Sequence, residues 1–142
     1  MIHKTAIIDN KAKIDTNVEI GPYTVIGPDV EILEGTKIQS HVNITGLTKI
    51  GKNNRIFPFA SIGNEPQDLK YKGENTKLII GDSNTIREYT TINTGTTGGG
   101  GVTKIGNRSL LMIGVHIAHD CIIGDQVVIA NSAAIAGHAE IA

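Results

Sequence analysis

Aromatic residues are scarce in this 142-residue chain: two Phe, three Tyr and no Trp, 4% in all. Any core must therefore be built from aliphatic side chains. The single cysteine, Cys121, excludes an internal disulfide and fits a reducing compartment. Thirteen basic residues against fourteen acidic ones leave a net charge of −1, without the basic excess of a nucleic-acid binder. No segment approaches the ~20 apolar residues of a membrane span, and the opening MIHKTAIIDN lacks the apolar run of a signal peptide. These absences predict a soluble, cytoplasmic protein with no nucleic-acid partner and no membrane span. Hydrophobic residues at 39% and charged ones at 19% are those of a folded chain, and the length suits one domain.

What the chain has in quantity is isoleucine at a fixed interval. Ile recurs every six residues from Ile2 to Ile62, again at Ile80, Ile86 and Ile92, and again from Ile105 to Ile141 with Leu111 in register. Of these 21 positions, 20 are Ile and one is Leu. A helix repeats at three and four residues, so a period of six is not helical. Six is a multiple of two, which turns every repeat Ile to the same side of an extended strand. Four residues after each Ile comes a second inward position, holding small or β-branched residues such as Ala12, Val18, Thr24, Val42, Val115 and Cys121. Gly often follows the Ile, as at Gly21, Gly51 and Gly106, which suits a corner. Each hexad thus reads as a short strand plus a turn, and stacked hexads make an all-β parallel solenoid. A periodic core alone says nothing about chemistry.

Function should lie where the period breaks. Two excursions are expected, at about 64–78 and 94–103, on the outer face of the solenoid. Gly98–Gly101 followed by Lys104 invites comparison with a phosphate-binding loop. The required spacing and following helix are both missing, so the run reads as a flexible loop. Gln67, Asp68 and Lys70 bring an acceptor, a carboxylate and a cation together, which by themselves read as a solvated loop.

The stretch HIAHD, 116–120, carries the sharpest signal. Ile117 points inward, so His116 and His119 point outward, while Cys121 falls on a small inward position and reads as a packed thiol. The period alone does not say how many hexads make a coil, but if three do, Gly137 falls beside His119 and His138 beside Asp120. Three histidines and a carboxylate then share one edge, within about one strand spacing of ~4.8 Å. Two chemistries fit: a metal site, as in the zinc-dependent carbonic anhydrases built from hexapeptide repeats, or general-base catalysis on a hydroxyl.

The segments QDLKYKGE (67–74), INTGT (92–96), GGGGVTKIG (98–106), MIGVHIAHDCIIG (112–124) and ANSAAIAGH (130–138) resemble the UDP-N-acetylglucosamine O-acyltransferases of lipid A biosynthesis. The resemblance covers nearly the whole chain. It implies a three-sided, left-handed parallel β-helix and a homotrimer with active sites between subunits. It implies transfer of a 3-hydroxyacyl chain from acyl carrier protein to the 3-hydroxyl of UDP-N-acetylglucosamine. His119 would be the general base, Gly137 an oxyanion donor and Asp120 the group that orients the imidazole. Gln67, Asp68, Lys70, His116 and His138 would bind the sugar nucleotide, with the 67–74 loop serving a neighbour's His119. No metal or redox cofactor is required by these residues. Asn93 and Thr94 depart from the His and Arg of some members. The family continues past Ala142 through further coils and a helical domain, so the chain is expected to be a truncated form. A non-catalytic scaffold therefore stands beside the zinc-dependent hydratase as an alternative.

Overall fold

The computed structural model describes residues 1–142. The chain coils as a left-handed parallel β-helix with three flat sides, of seven, seven and six strands. Most strands are only two residues long, an outward residue followed by the repeat Ile. Every strand pairs in parallel with the one a coil later, so side chains at equivalent hexad positions stack in columns. The first sheet stacks Ile8, Ile26, Ile44, Ile62, Ile92, Ile117 and Ile135. The second stacks Ile14, Ile32, Ile50, Ile80, Ile105, Ile123 and Ile141. The third stacks Ile20, Ile38, Ile56, Ile86, Leu111 and Ile129. These columns and the small residues between them form one core of 24 buried apolar residues. At roughly 1.5–3 kcal/mol for each fully buried large aliphatic side chain, the columns dominate the favourable side of folding.

The corners turn through left-handed backbone. Twelve non-glycine residues have positive φ, among them Tyr23, His41, Phe59, Tyr89, Asp120 and His138, each three residues after a repeat Ile or its equivalent. Such a conformation costs ~1–2 kcal/mol for a residue bearing a Cβ. It persists because the ladders on either side hold the backbone between coils. At one corner Tyr23, His41, Phe59 and Tyr89 stack outside the solenoid with centroids 5.2–5.3 Å apart.

Polar residues also enter the interior, in a way the hexad pattern did not reveal. Buried Asn54, Asn84 and Ser109 form a ladder across successive coils. Asn84 N–H donates to Asn54 Oδ1 at 2.9 Å, Asn84 Nδ2 to the Gly106 carbonyl at 2.8 Å, and Ser109 N–H to Asn84 Oδ1 at 2.9 Å. Each side chain satisfies backbone groups at a corner where ladder bonds lapse.

Both excursions leave the solenoid without shifting its register. Ile50 pairs with Ile80 instead of a residue eighteen further on, and Ile80 with Ile105, so the insertions add whole loops and the columns continue. Strand structure stops at Asn64 and resumes at Lys77, then stops at Asn93 and resumes at Val102. The second excursion contains a single 3-10 turn, Thr97–Gly99. No helix is long and apolar enough to cross a membrane.

Candidate active site

Both excursions converge on the corner that follows the first sheet, where the coil 117–123 turns. His119 and Asp120 stand on this corner, and His138 stands one coil above, its N–H donating to the His119 carbonyl at 3.1 Å. Asp120 and His138 both take left-handed backbone, φ 63° and 65°, so their side chains stack over one another. Asp120 Oδ2 accepts from His119 Nδ1 at 2.9 Å, and His138 Nδ1 is 3.8 Å from the same oxygen. The two imidazoles meet edge to face, with centroids 4.9 Å apart.

Asp120 is only 5% exposed. Burial opposes its ionisation, but the donors around it outweigh burial and hold its carboxyl below the ordinary aspartate range. Those donors come chiefly from the second excursion: the Thr96 backbone N–H reaches Oδ1 at 2.8 Å and the Thr96 hydroxyl reaches Oδ2 at 2.5 Å. Asp120 in turn donates its own N–H to Thr103 Oγ1 at 2.8 Å. Of the glycine run, Gly99 lies against this group: a Cβ there would strike the Asp120 carboxylate and the His138 ring. Gly98, Gly100 and Gly101 stand in open space, and Gly100 and Gly101 use the positive φ that the run was expected to need.

With Nδ1 engaged, His119 turns Nε2 toward Asp68, whose Oδ2 stands 4.0 Å away. Asp68 belongs to the first excursion of the same chain. The loop expected to serve a neighbour's histidine thus folds over its own His119. Asp68, Lys70, Tyr71 and Glu74 on one side and Thr96, Gly98 and His138 on the other enclose a cleft of about 150 Å³. A larger cavity, about 530 Å³, lies on the far side of the first excursion and is lined by none of the histidines. The smaller cleft is the one that Asp68 and His138 line.

Gly137 lies where the spacing placed it. A Cβ there would come within 2.5 Å of His119 Cε1 and 2.6 Å of Nε2, so only glycine lets the backbone approach the ring. His116 stands on the adjoining strand, half-buried, its Nδ1 2.7 Å from Thr91 Oγ1. Burial, together with the nearby His119, lowers its pKa. Lys70 and Gln67 are exposed. Lys70 lines the cleft, and Gln67 does not reach it. Asn93 and Thr94 are buried where the first sheet bulges, and Asn93 Oδ1 has no hydrogen-bond partner. Burial pushes the Cys121 thiol up, as befits its place under the corner.

Sequence reasoning missed Thr96, Thr103 and Thr91, which hold Asp120 and His116. Thr96 is 24 residues from Asp120, a distance set by the insertion and not by the repeat.

The description "bacterial transferase hexapeptide (six repeats)" matches residues 11–46 and 102–137. The chain belongs to this hexapeptide transferase family. It is 55% identical to an acyl-[acyl-carrier-protein]–UDP-N-acetylglucosamine O-acyltransferase of Thermodesulfovibrio yellowstonii, over 99% of the chain and 54% of the relative. The crystal structure of the UDP-N-acetylglucosamine O-acyltransferase of Moraxella catarrhalis superposes with a TM-score of 0.97 at 55% identity, over 99% of this chain and 55% of that one. That of Arabidopsis UDP-N-acetylglucosamine acyltransferase gives 0.79 at 33% identity, over 99% and 56%. The chain therefore spans about half the length of the relatives it matches, 54% of the curated one.

Proposed function

We propose that this chain carries the catalytic corner of an acyl carrier protein-dependent UDP-N-acetylglucosamine O-acyltransferase, acting in the cytoplasm at the first step of lipid A biosynthesis. The observation that carries this reading is the His119–Asp120 pair, with Nδ1 tied at 2.9 Å and Nε2 turned toward Asp68 beside Gly137. Nε2 takes the proton of the sugar 3-hydroxyl as the oxygen attacks the thioester carbonyl of the 3-hydroxyacyl carrier protein. The carbonyl oxygen becomes an oxyanion and accepts the Gly137 N–H, a contact worth roughly 3–4 kcal/mol in the transition state. Collapse expels the carrier thiolate, which regains a proton from the His119 imidazolium. Asp120 stabilises that imidazolium and fixes the neutral tautomer. Gln67, Asp68, Lys70, His116 and His138 bind the sugar nucleotide, Asp68, Lys70 and His138 from the walls of the cleft.

We assign the homotrimer contact to the first sheet. Its outward residues Ile7, Val25, Asn43, Ser61, Thr91, His116 and Ala134 include no carboxylate, lysine or arginine, and the exposed aromatic stack adjoins it. The other two sheets present Lys13, Glu31 and Lys49, and Glu19, Lys37 and Arg55. A face without charge along its whole length supports that contact.

The zinc-hydratase reading rests on His119, Asp120 and His138, whose candidate ligand atoms lie within 4.8 Å of one another. Against it, both Asp120 oxygens are already engaged by Thr96 and one also by His119. A metal would have to displace these donors.

One preparation tests the proposal. Light scattering should give three times the 15.1 kDa chain mass. The chain should bind UDP-N-acetylglucosamine and form the 3-O-acyl product, and His119→Ala should lower turnover roughly 10²–10⁴-fold with circular dichroism unchanged. Neither binding nor turnover in the parent chain, or undiminished turnover in the variant, would overturn it. Zinc retained at one per chain after dialysis would favour the hydratase.

A further inference from the structure

We propose that Thr96 is a positioning residue for this transfer: from the glycine-rich excursion it clamps Asp120, so that the carboxylate holds Nδ1 of His119 and leaves Nε2 as the base. The inference rests on the reading of His119 as that base. A terminal carboxylate torsion is soft and roughly two-fold, so an aspartate does not orient itself. Thr96 removes that freedom by donating to both oxygens, its N–H to Oδ1 at 2.8 Å and its hydroxyl to Oδ2 at 2.5 Å. The corner turn contributes from the other side, through the Asp120 N–H to Thr103 Oγ1. Gly99 closes the loop against the carboxylate at a distance no side chain allows.

The clamp matters because Oδ2 is contested. His138 Nδ1 stands 3.8 Å from it, against 2.9 Å for His119. With the carboxylate fixed, the shorter bond belongs to His119. Released, the carboxylate can turn toward His138, and His119 is free to exchange tautomers. The glycine run thus acquires a use that neither a phosphate loop nor a slack linker explains.

Thr96→Val keeps the shape and the backbone N–H and removes the hydroxyl, and Thr96→Ser restores a hydroxyl. In the parent chain, imidazole ¹⁵N spectra should show neutral His119 with the proton on Nδ1. Thr96→Val should show mixed tautomers. In the assay, kcat should fall roughly 10- to 100-fold, the loss expected for a hydrogen bond to a charged group. KM for the sugar nucleotide should hold. Thr96→Ser should return all of these to parent values. A folded Thr96→Val with the parent's tautomer, or a serine variant that restores nothing, would overturn the proposal. Failure of the parent chain to turn over strikes the acyltransferase reading alone, because the spectra decide the clamp independently.

Discussion

The hexads of residues 1–62 run without a break, and the surface they leave on two sides is a row of ordinary charges, Glu19, Lys37 and Arg55 on one and Lys13, Glu31 and Lys49 on the other. The coils beyond Ile62 have the same columns inside, yet outside they carry Asp68, Thr96, His116, His119 and His138 at one corner. Core packing does not distinguish the two regions, since Ile44 in the first and Ile92 in the second are both 0% exposed. What distinguishes them is twelve inserted residues and then seven, each leaving and rejoining the solenoid in register. The repeat supplies rigid anchor points, and the insertions reach from those points across one corner to build a cleft.

The comparison can be broken at its strongest point first. Ile44→Ala and Ile92→Ala should each cost roughly 2–5 kcal/mol in urea unfolding, because each leaves a cavity in a close-packed column. Equal losses would mean one cooperative core. A small loss at Ile92 alone would mean that the excursion-bearing coils unfold separately. A smaller effect is expected from the inner polar ladder that ties those coils together. Asn84→Ala leaves the Ser109 N–H and the Gly106 carbonyl without partners, at about 1–3 kcal/mol for the buried groups. Its rescue by serine at the same position should be partial, since a hydroxyl is too short to span both bonds.

The smallest effect lies in the pH dependence of stability, and it belongs to the second region. His116 has a lowered pKa in the fold, so the unfolded chain binds its proton more readily. Stability should therefore decline as pH falls below the unfolded value of about 6.5 and level off below the folded one. Asp120, also lowered, contributes stability present above the unfolded value of about 3.9 and lost as pH falls through its folded value. Urea melts between pH 7.5 and pH 3 should show both declines. His116→Gln should flatten the first and leave the second.

Much of this was legible in the chain. Spacing placed the inward Ile positions, the outward His116 and His119 and the packed Cys121, and the 18-residue coil implied by the family resemblance added the contacts of Gly137 with His119 and His138 with Asp120. It could do so because a solenoid turns sequence distance directly into spatial distance. Where the period lapses, that conversion lapses too. The 67–74 loop was expected at a neighbour's histidine and lies over its own. The glycine run was read as a loop needing backbone freedom, which Gly100 and Gly101 use, and its Gly99 also packs against Asp120.

The sequence by itself determined a parallel solenoid, because a period of six turns every repeat isoleucine to the same side of its strand. Resemblance across the chain named the hand and the chemistry. Only the tertiary structure decided which excursion residues reach the imidazole. A loop free of the repeat finds its place by long-range contact: Thr96 meets Asp120 across 24 residues, and Asp68 meets His119 across 51. Those contacts depend on how two insertions fill the same corner, and no local pattern in the chain encodes that meeting.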